Sequence, residues 1–415
     1  MPADYRYAAY PSAHVYDEEG NQIHHLLWGD WVQVNGPETD GKVPVHVRGV
    51  DGFMEVVELQ KDRLLEIVFV DVGQGDGCLI VTPDDRKIVV DAGVADNMYR
   101  YLRWRFQFRE DERTFDAAVI THSDADHYYG FRPLFSDHNV RFEHIYHNGI
   151  MEYDDRKRPL GPVTKQGGQT YLTDLMVDRP RLEAFLAEPS LYGKKEYPKL
   201  IKNGLERVPA GADRISMLAA HSAPDQPVFM PGFEADQPVS IHVLGPVPEI
   251  SSEGAPLLRW FRESPTEGSV DVGKTKNGHS VILRLEYRGV SILLGGDLNS
   301  SAESFLLQHY SGLPCPPADS NAEQTLIEAA RTTLESDIAK SCHHGSADFT
   351  DAFLRAVNPA ATVVSSGDAE SYAHPRCDTL GAIGLHGRGW RPLVFCTELA
   401  RSTREDEGNR GVELG

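Results

Sequence analysis

The sequence has few cysteines and no long apolar run. Its five cysteines are scattered, odd in number and without Cys-x-x-Cys spacing, which argues against a disulfide scaffold or a thiolate zinc knuckle and for a reducing compartment. No stretch approaches the roughly 18 uninterrupted apolar residues of a membrane-spanning helix. The N-terminus also lacks the basic segment and apolar run of a signal peptide. We therefore predict a cytoplasmic protein with no membrane association.

Positive charge is scarce as well. Lys and Arg number 41 against 62 Asp and Glu, which gives a net charge of −21. A chain this acidic does not attract a phosphate backbone through its overall field, so contact with nucleic acid needs a local basic patch or a bound metal. Apolar residues at 40% and charged residues at 25% exclude a mainly disordered or fibrous protein. The length of 415 residues favours two or three domains.

Turn signals and composition divide the chain. Residues 1–62 contain short alternating stretches rich in Val and Trp, cut by Gly-Pro and Asp-Gly turns, and predict a small β module. The part from 26 to 60 resembles bacterial SH3-like domains. This module either packs on the main domain as a β extension or docks a protein partner. We expect the main domain at 63–396, with the more polar region 141–240 as a lid or insertion, and a charged tail at 397–415.

Buried strands and helices alternate through the main domain. From Leu64 to residue 93, three runs of Val and Ile are bounded by Gly or Asp, which is typical of strands buried in a sheet. Further strands are predicted before Thr121 and before Asp297, and helical patterns occur at 301–310, 322–334 and 348–357. The sequence therefore predicts an α/β fold.

The densest group of chemically active side chains directly follows an apolar strand that ends at Ile120. Four potential metal ligands occur within six residues: His122, Asp124, Asp126 and His127. Imidazole nitrogens and carboxylate oxygens in one loop are what a divalent metal site needs. The alternative is a solvated Asp-rich turn that caps the next helix, which the two flanking histidines make the weaker interpretation.

This loop resembles the HxHxDH metal loop of the metallo-β-lactamase superfamily, and more closely the HxDxDH form of the ComEC-type competence proteins. Segments 69–76, 89–93, 280–287, 293–298, 343–346 and 372–375 match motifs of that subgroup in order. The resemblance implies an αββα metallo-β-lactamase sandwich that follows the small N-terminal β-barrel-like module.

The resemblance also implies two divalent metal ions. It assigns their ligands to His122, Asp124, Asp126, His127, Asp297 and one histidine of the pair at 343–344, of which we favour His343 because it follows the strand-like segment. His279 is either a further ligand or a histidine at a strand edge. Asp in place of His at position 124 makes the site rich in oxygen, which favours Mn²⁺ or Mg²⁺, while Zn²⁺ stays compatible.

Other residues are expected to act around the metals. The resemblance places Asp91 where it orients a ligand, and Asp126 belongs to the catalytic group. His374 either closes a turn, or it protonates the leaving oxygen or binds a phosphate. Candidate substrate contacts are Ser346, His344 and Gln74, and Ser346 is alternatively the N-cap of the following helix. Asp76 is expected to line the same cleft.

The function implied by the resemblance is a metal-dependent phosphodiesterase, and DNA hydrolysis by a metal-bridging hydroxide is the favoured reaction. Such a nuclease would act alone, as the effector of a bacterial defence or DNA-processing system. The acidic charge favours a small nucleotide, a cyclic nucleotide or another phosphodiester instead. A third interpretation is a partner-binding protein with a structural metal site. Oligomeric state has no signal in the sequence.

Overall fold

The computed structural model describes residues 4–106, 112–263, 270–367 and 372–398. The chain divides into two compact units, one of Met1–Glu66 with Ile80–Arg86 and one of Ile67–Leu79 with Lys87–Gly415. The tail predicted at 397–415 lies outside the described residues from position 399 onward.

The first unit is built on an antiparallel sheet. Its strands are β1 (Asp4–Ala8), β2 (Ser12–Tyr16), β3 (Gln22–Leu27), β4 (Trp31–Val34), β5 (Lys42–Val47), β6 (Val50–Glu55) and β7 (Leu59–Gln60), in the order β3-β2-β6-β5-β4-β1-β7. Strict alternation along β5 buries Val43, Val45 and Val47, because successive side chains of a strand point to opposite faces. These valines join a core of their own with Leu26 and Met54. The SH3-like character of this unit stays a prediction.

The second unit begins with one sheet and its helices. The elements are β8 (Glu66–Phe69), β9 (Gly77–Val81), β10 (Lys87–Ala92), α1 (Asn97–Phe106), β11 (Arg113–Ile120), α2 (Ala125–Tyr128), α3 (Phe131–Ser136), β12 (Val140–His147), β13 (Val163–Gln166), β14 (Gln169–Leu172), α4 (Arg179–Leu186), α5 (Pro189–Tyr192), α6 (Glu196–Gly204) and β15 (Ile215–Met217). The sheet order is β15-β12-β11-β10-β9-β8. Strands β10, β11, β12 and β15 are parallel, so their carboxyl ends meet at one edge.

The second large sheet follows later in the chain. The elements are β16 (Val228–Phe229), β17 (Val239–Gly245), β18 (Glu249–Ile250), β19 (Pro256–Arg259), α7 (Val272–Gly278), β20 (Ile282–Tyr287), β21 (Val290–Leu294), α8 (Ser300–Ser311), α9 (Ser320–Leu334), β22 (Ile338–Lys340), α10 (Asp351–Val357), β23 (Ala361–Val364), α11 (Cys377–His386) and β24 (Leu393–Cys396). Its order is β16-β17-β20-β21-β22-β23-β24, and the last four strands run parallel.

Helices cover the outer faces of both sheets. Helices α8, α9 and α10 bury Leu306, Ile327 and Phe353 against Leu244 and Leu293 of the second sheet, and α1 and α3 contact β10 and β12 of the first. The molecule therefore contains the expected αββα sandwich, and the carboxyl ends of its parallel strands supply the loops described below.

The region 141–240 is mixed in structure. Residues 141–147 belong to β12 and 215–217 to β15 of the first sheet, while α4, α5 and α6 lie between them. Strands β13 and β14 pair with β19 and β18 in a separate four-stranded sheet. Among the described residues, no helix combines the length and the apolar character that crossing a bilayer requires.

Candidate metal centre

The loop after β11 is held by the carboxylate of Asp91. Asp91 accepts hydrogen bonds from the Thr121 backbone amide at 2.8 Å and from the Thr121 hydroxyl at 2.6 Å. The same carboxylate lies 2.8 Å from Nδ1 of His127. Because Nδ1 of His127 is engaged in this way, its Nε2 is free to face the centre of the site. This contact fixes the orientation of the His127 ring, and the role in metal binding assigned to Asp91 stays a prediction.

Asp297 is the residue on which the cluster converges. It follows β21 through Gly295 and Gly296, and it is only 2% exposed. Its Oδ2 lies 3.1 Å from Nε2 of both His127 and His344. Burial disfavours the ionised form, but the imidazoles of His127 and His344 hold the pKa of this carboxyl well below its usual value. Asp297 is therefore a buried carboxylate that stays ionised.

The two adjacent histidines, His343 and His344, occupy different positions in the site. His344 is buried, and its Nε2 lies 3.2 Å from Nε2 of His127. His343 reaches only to 3.9 Å from Asp297 and keeps 27% of its side chain exposed. Both residues have left-handed backbone angles, with φ of 48° and 54°. That tight turn sends His344 into the cluster and His343, which the sequence analysis favoured as a ligand, to its edge.

The protein environment changes the pKa of these two histidines in opposite directions. Burial works against the charged form of His344, but Asp297 and Asp76 outweigh it and raise its pKa to about 10. For His343, burial dominates and lowers the pKa. The difference in pKa reflects the difference in position.

Asp76 and Lys340 complete the inner cluster. Asp76 Oδ1 lies 3.1 Å from Nδ1 of His344, and Asp76 also forms an ion pair with Lys340. The ammonium of Lys340 donates to the carbonyl of Gly296 at 3.0 Å and lies 3.7 Å from Asp297. Burial would raise the pKa of Asp76, but Lys340 and His344 lower it to about 2.

Potential ligand atoms of four buried residues lie within 4.8 Å of one another: Asp76, His127, Asp297 and His344. The sequence analysis placed Asp76 in the cleft but did not include it among the ligands, and it missed Lys340. A lysine at the end of an apolar strand, shortly before a histidine pair, was the available signal.

Asp124, in the loop after β11, has its partners on helix α7. It forms an ion pair with Lys276 of α7, and Lys276 also lies 2.9 Å from Glu152. The amide nitrogen of Asn277 reaches Oδ2 of Asp124 at 2.7 Å. The ring of His122 stands between the two aspartates, since its Nε2 is 3.6 Å from Asp124 and 3.9 Å from Asp297. Lys276 and Asn277 were not anticipated.

Asp126 lies at the wall of the cavity. The amide of Gln74 donates to its Oδ2 at 3.1 Å, and Nε2 of His344 is 3.7 Å from the same oxygen. Gly75, with φ of 102°, lets the backbone pass so close to Asp126 that an added Cβ would lie 1.7 Å from its carbonyl oxygen. Only glycine allows this approach.

His279 is turned away from the cluster. Its Nε2 lies 2.6 Å from the carbonyl of Arg259, and its ring stacks on Phe261 at a centroid distance of 4.7 Å. Burial lowers its pKa to about 4. Of the two alternatives for His279, the geometry favours the histidine at the strand edge.

A cavity of about 430 Å³ opens over the cluster. Gln74, Asp124, Asp126, Asp297, both His343 and His344, and His374 line it. Ser346 does not line this cavity, and its hydroxyl accepts a hydrogen bond from the Asp348 amide at 3.2 Å. The N-cap of α10 is Thr350, so the capping role considered for Ser346 belongs to another residue.

The donor set fits divalent cations. Nε2 of His122 and Oδ1 of Asp297 are buried and lack a hydrogen-bond partner in the described structure, which is costly unless another group binds them. Carboxylate oxygens and imidazole nitrogens surround both atoms, and this mixture suits Mn²⁺ and Zn²⁺. Cations held here can polarise a substrate oxygen and lower the pKa of a water molecule.

Comparison with known proteins identifies the family of the chain. The model of the metallo-β-lactamase superfamily matches residues 70–334, which is more than half of the chain. The competence protein ComA of Neisseria gonorrhoeae is 31% identical over 138 residues, which cover 33% of this chain and only 16% of that protein.

Solved metallo-β-lactamases are also similar to this chain. One from Cronobacter sakazakii is 12% identical with a TM-score of 0.26, over 66% of this chain and 73% of its own. Another, MEM-A1 of subclass B3 from a soil metagenome, is 13% identical with a TM-score of 0.28, over 69% and 82%.

Proposed function

The chain belongs to the metallo-β-lactamase superfamily, and from that premise we propose that it is a metal-dependent phosphodiesterase that hydrolyses DNA. The observation that carries the proposal is Asp297, whose Oδ2 lies 3.1 Å from Nε2 of both His127 and His344 at the floor of an open cavity. A carboxylate in this position is suited to sharing two cations. The similarity to a protein named as a competence protein, together with the HxDxDH loop, supports DNA as the substrate.

The metal-binding roles are assigned as follows in this proposal. Asp297, His127, His344 and Asp126 would hold one cation, and His122, Asp124 and Asp297 would hold the other. Asp76 either joins the first group or fixes His344 from behind, since Lys340 already neutralises it. The carboxylate-rich set favours Mn²⁺, with Zn²⁺ as the alternative. When bound, these cations supply an activated water and stabilise the charge that develops on the phosphoryl oxygens.

The residues of the chain itself position the reaction. Asp91 fixes the ring of His127, and the amide of Gln74 donates a hydrogen bond that orients Asp126. His374 lines the cavity with its ring centroid 5.8 Å from that of His343. We assign His374 to proton transfer at the leaving oxygen.

A small phosphodiester is the second candidate. The net charge of −21 and a cavity of about 430 Å³ suit a nucleotide or cyclic nucleotide, which needs no extended basic surface. The two functions share the chemistry and differ only in the substrate.

The test compares DNA forms and metals. The full chain, freed of metal and then supplied with Mn²⁺, Mg²⁺ or Zn²⁺, is incubated with linear and circular DNA, single- and double-stranded. An Asp126→Ala, His127→Ala double variant is the inactive reference, and His46→Ala, at a histidine of the first unit whose side chain is 39% exposed, is the matched control. We expect cutting by the wild type and the control but not by the double variant.

Two results would contradict different parts of the proposed function. Turnover of bis-p-nitrophenyl phosphate without cutting of any DNA would replace DNA by a small phosphodiester. Cutting by the double variant at the wild-type rate would remove the metal centre from the mechanism.

A further inference from the structure

The rim of the cavity carries an exposed aromatic ring. Tyr372 lines the cavity, yet 62% of this large residue is exposed. Its ring is nearly parallel to that of His374, with a centroid distance of 5.8 Å and an angle of 19° between the planes. His374 in turn stacks with His344 of the inner cluster at 6.3 Å and 28°. A series of three rings therefore leads from the buried cluster to the rim.

The base of the cavity and its rim differ in chemistry. The base presents the carboxylates of Asp124, Asp126 and Asp297, while the rim presents Tyr372 together with Val94, which is 38% exposed. A ligand that fits this division has an anionic part, bound by cations at the floor of the cavity, and a flat apolar part that covers the ring of Tyr372. A nucleotide has both parts, a phosphate group and a nucleobase.

We infer that Tyr372 is a base-stacking platform that binds the nucleobase next to the scissile phosphate, with His374 supporting the ring from the inner side. This inference rests on the proposed phosphodiesterase function and specifies its substrate as a nucleotide-containing phosphodiester with an unpaired base. Stacking on an aromatic ring tolerates any base, because every base has a π-face. The platform therefore confers recognition of single-stranded nucleic acid without sequence specificity.

The experiment is a double-mutant cycle in which the Tyr372 ring and the nucleobases of the substrate are removed separately and together. The full chain, as wild type, Tyr372→Ala and Tyr372→Phe, is supplied with the metal that supports turnover. The substrates are a twelve-nucleotide thymidine oligonucleotide and an oligonucleotide of the same length made of tetrahydrofuran abasic units. Removal of the ring should lower kcat/KM on the thymidine oligonucleotide on the order of 10- to 100-fold. Tyr372→Phe should retain it, and all three proteins should cut the abasic oligonucleotide equally.

Equilibrium binding of the same two fluorescently labelled oligonucleotides, measured by anisotropy with Ca²⁺ in place of the metal that supports turnover, supplies a readout without turnover. Tyr372→Ala should weaken binding of the thymidine oligonucleotide alone. Equal effects of Tyr372→Ala on both oligonucleotides, or no effect on either, would overturn the stacking role.

Failure of the proposed nuclease function gives a different result from failure of the stacking role. If the wild type cuts neither oligonucleotide, the nuclease proposal fails, and the platform is then judged on binding alone. If anisotropy then shows that the wild type and Tyr372→Ala bind the thymidine oligonucleotide with equal affinity, the inference is overturned as well.

Discussion

His343 and His344 are neighbours in the chain but differ in every property that matters for metal binding. His344 is buried against Asp297, His127 and Asp76, whereas His343 is partly exposed at the edge of the cavity. The sequence analysis favoured His343, whereas the geometry brings His344 into the cluster, because the direction of the two rings depends on a left-handed turn. Helical or strand periodicity carries no information about such a turn.

The first prediction concerns this pair. Alanine at position 344 should lower the affinity for Mn²⁺ by at least roughly tenfold, since it removes an imidazole that lies 3.1 Å from Asp297. Alanine at position 343 should lower it less. Isothermal titration of metal-free protein at one fixed pH measures both, and an equal or reversed order would contradict the assignment.

The second prediction concerns Lys276, whose ammonium pairs with both Asp124 and Glu152 and whose side chain is only 12% exposed. Lys276→Met leaves two carboxylates without their partner, so the free energy of unfolding should fall by about 3–5 kcal/mol. Lys274→Met is the matched control on the same helix. The side chain of Lys274, which pairs with Asp348, is more exposed than that of Lys276, at 21%, so its replacement should lower the free energy of unfolding less.

Urea denaturation measures the two changes. Similar losses for both variants would show that Lys276 is an ordinary surface cation and does not position Asp124.

At the scale of elements, helix α8 fixes the start of α10. Glu303 of α8 accepts hydrogen bonds from the backbone amide of Thr350 at 2.5 Å and from its hydroxyl at 2.9 Å, and Thr350 is the N-cap of α10. The segment from Gly345 to Thr350 joins the histidine pair to that helix. Glu303 is 1% exposed, and burial raises its pKa to about 8.

The third prediction is a pH dependence of stability. A carboxyl whose native pKa of about 8 exceeds its ordinary value of 4.5 holds its proton in the folded state and loses it on unfolding. The free energy of unfolding should therefore decrease as pH rises between about 5 and 8, by at most about 1.4 kcal/mol per pH unit. Glu303→Gln should abolish this contribution, so its Tm should exceed that of the wild type increasingly toward pH 8.

Thermal denaturation at pH 5, 6, 7 and 8 measures the difference, with Glu328→Gln on the exposed face of α9 as the control. A constant difference in Tm across this range would contradict the raised pKa.

Elements with a strong period were predicted well. The helical patterns at 301–310, 322–334 and 348–357 correspond to α8, α9 and α10, because an apolar face that packs on a sheet leaves a clear 3.6-residue repeat. Strand β12 was not predicted, because its buried and half-buried residues do not alternate regularly along the sequence. Asp76 and Lys340 meet only through tertiary packing of a turn against a strand end, so no local spacing could associate them.

At the scale of the whole molecule, the acidic charge restricts how DNA can bind. None of the described residues that line the cavity is Lys or Arg. Contact with phosphates therefore depends on cations at the cluster, and few counterions are displaced from the DNA when it binds.

The fourth prediction follows from this restriction. For a single-stranded substrate, the slope of log(kcat/KM) against log salt concentration should stay near −0.7 to −1.4, which corresponds to about one or two phosphates. A Lys194→Glu, Lys195→Glu double variant should have the same slope as the wild type. A slope steeper than about −3, reduced in that variant, would instead reveal a basic track on the region 141–240.

The central claim is that cations shared by Asp297 drive hydrolysis of DNA. The most direct measurement is the rate at which metal-free protein, reconstituted with Mn²⁺, cuts a labelled single-stranded oligonucleotide, with Asp297→Asn beside the wild type and both checked for folding. The account predicts cutting by the wild type that requires the metal and falls roughly 100-fold or more in the variant. Cutting by Asp297→Asn at the wild-type rate, or none by the wild type with any metal, would contradict it.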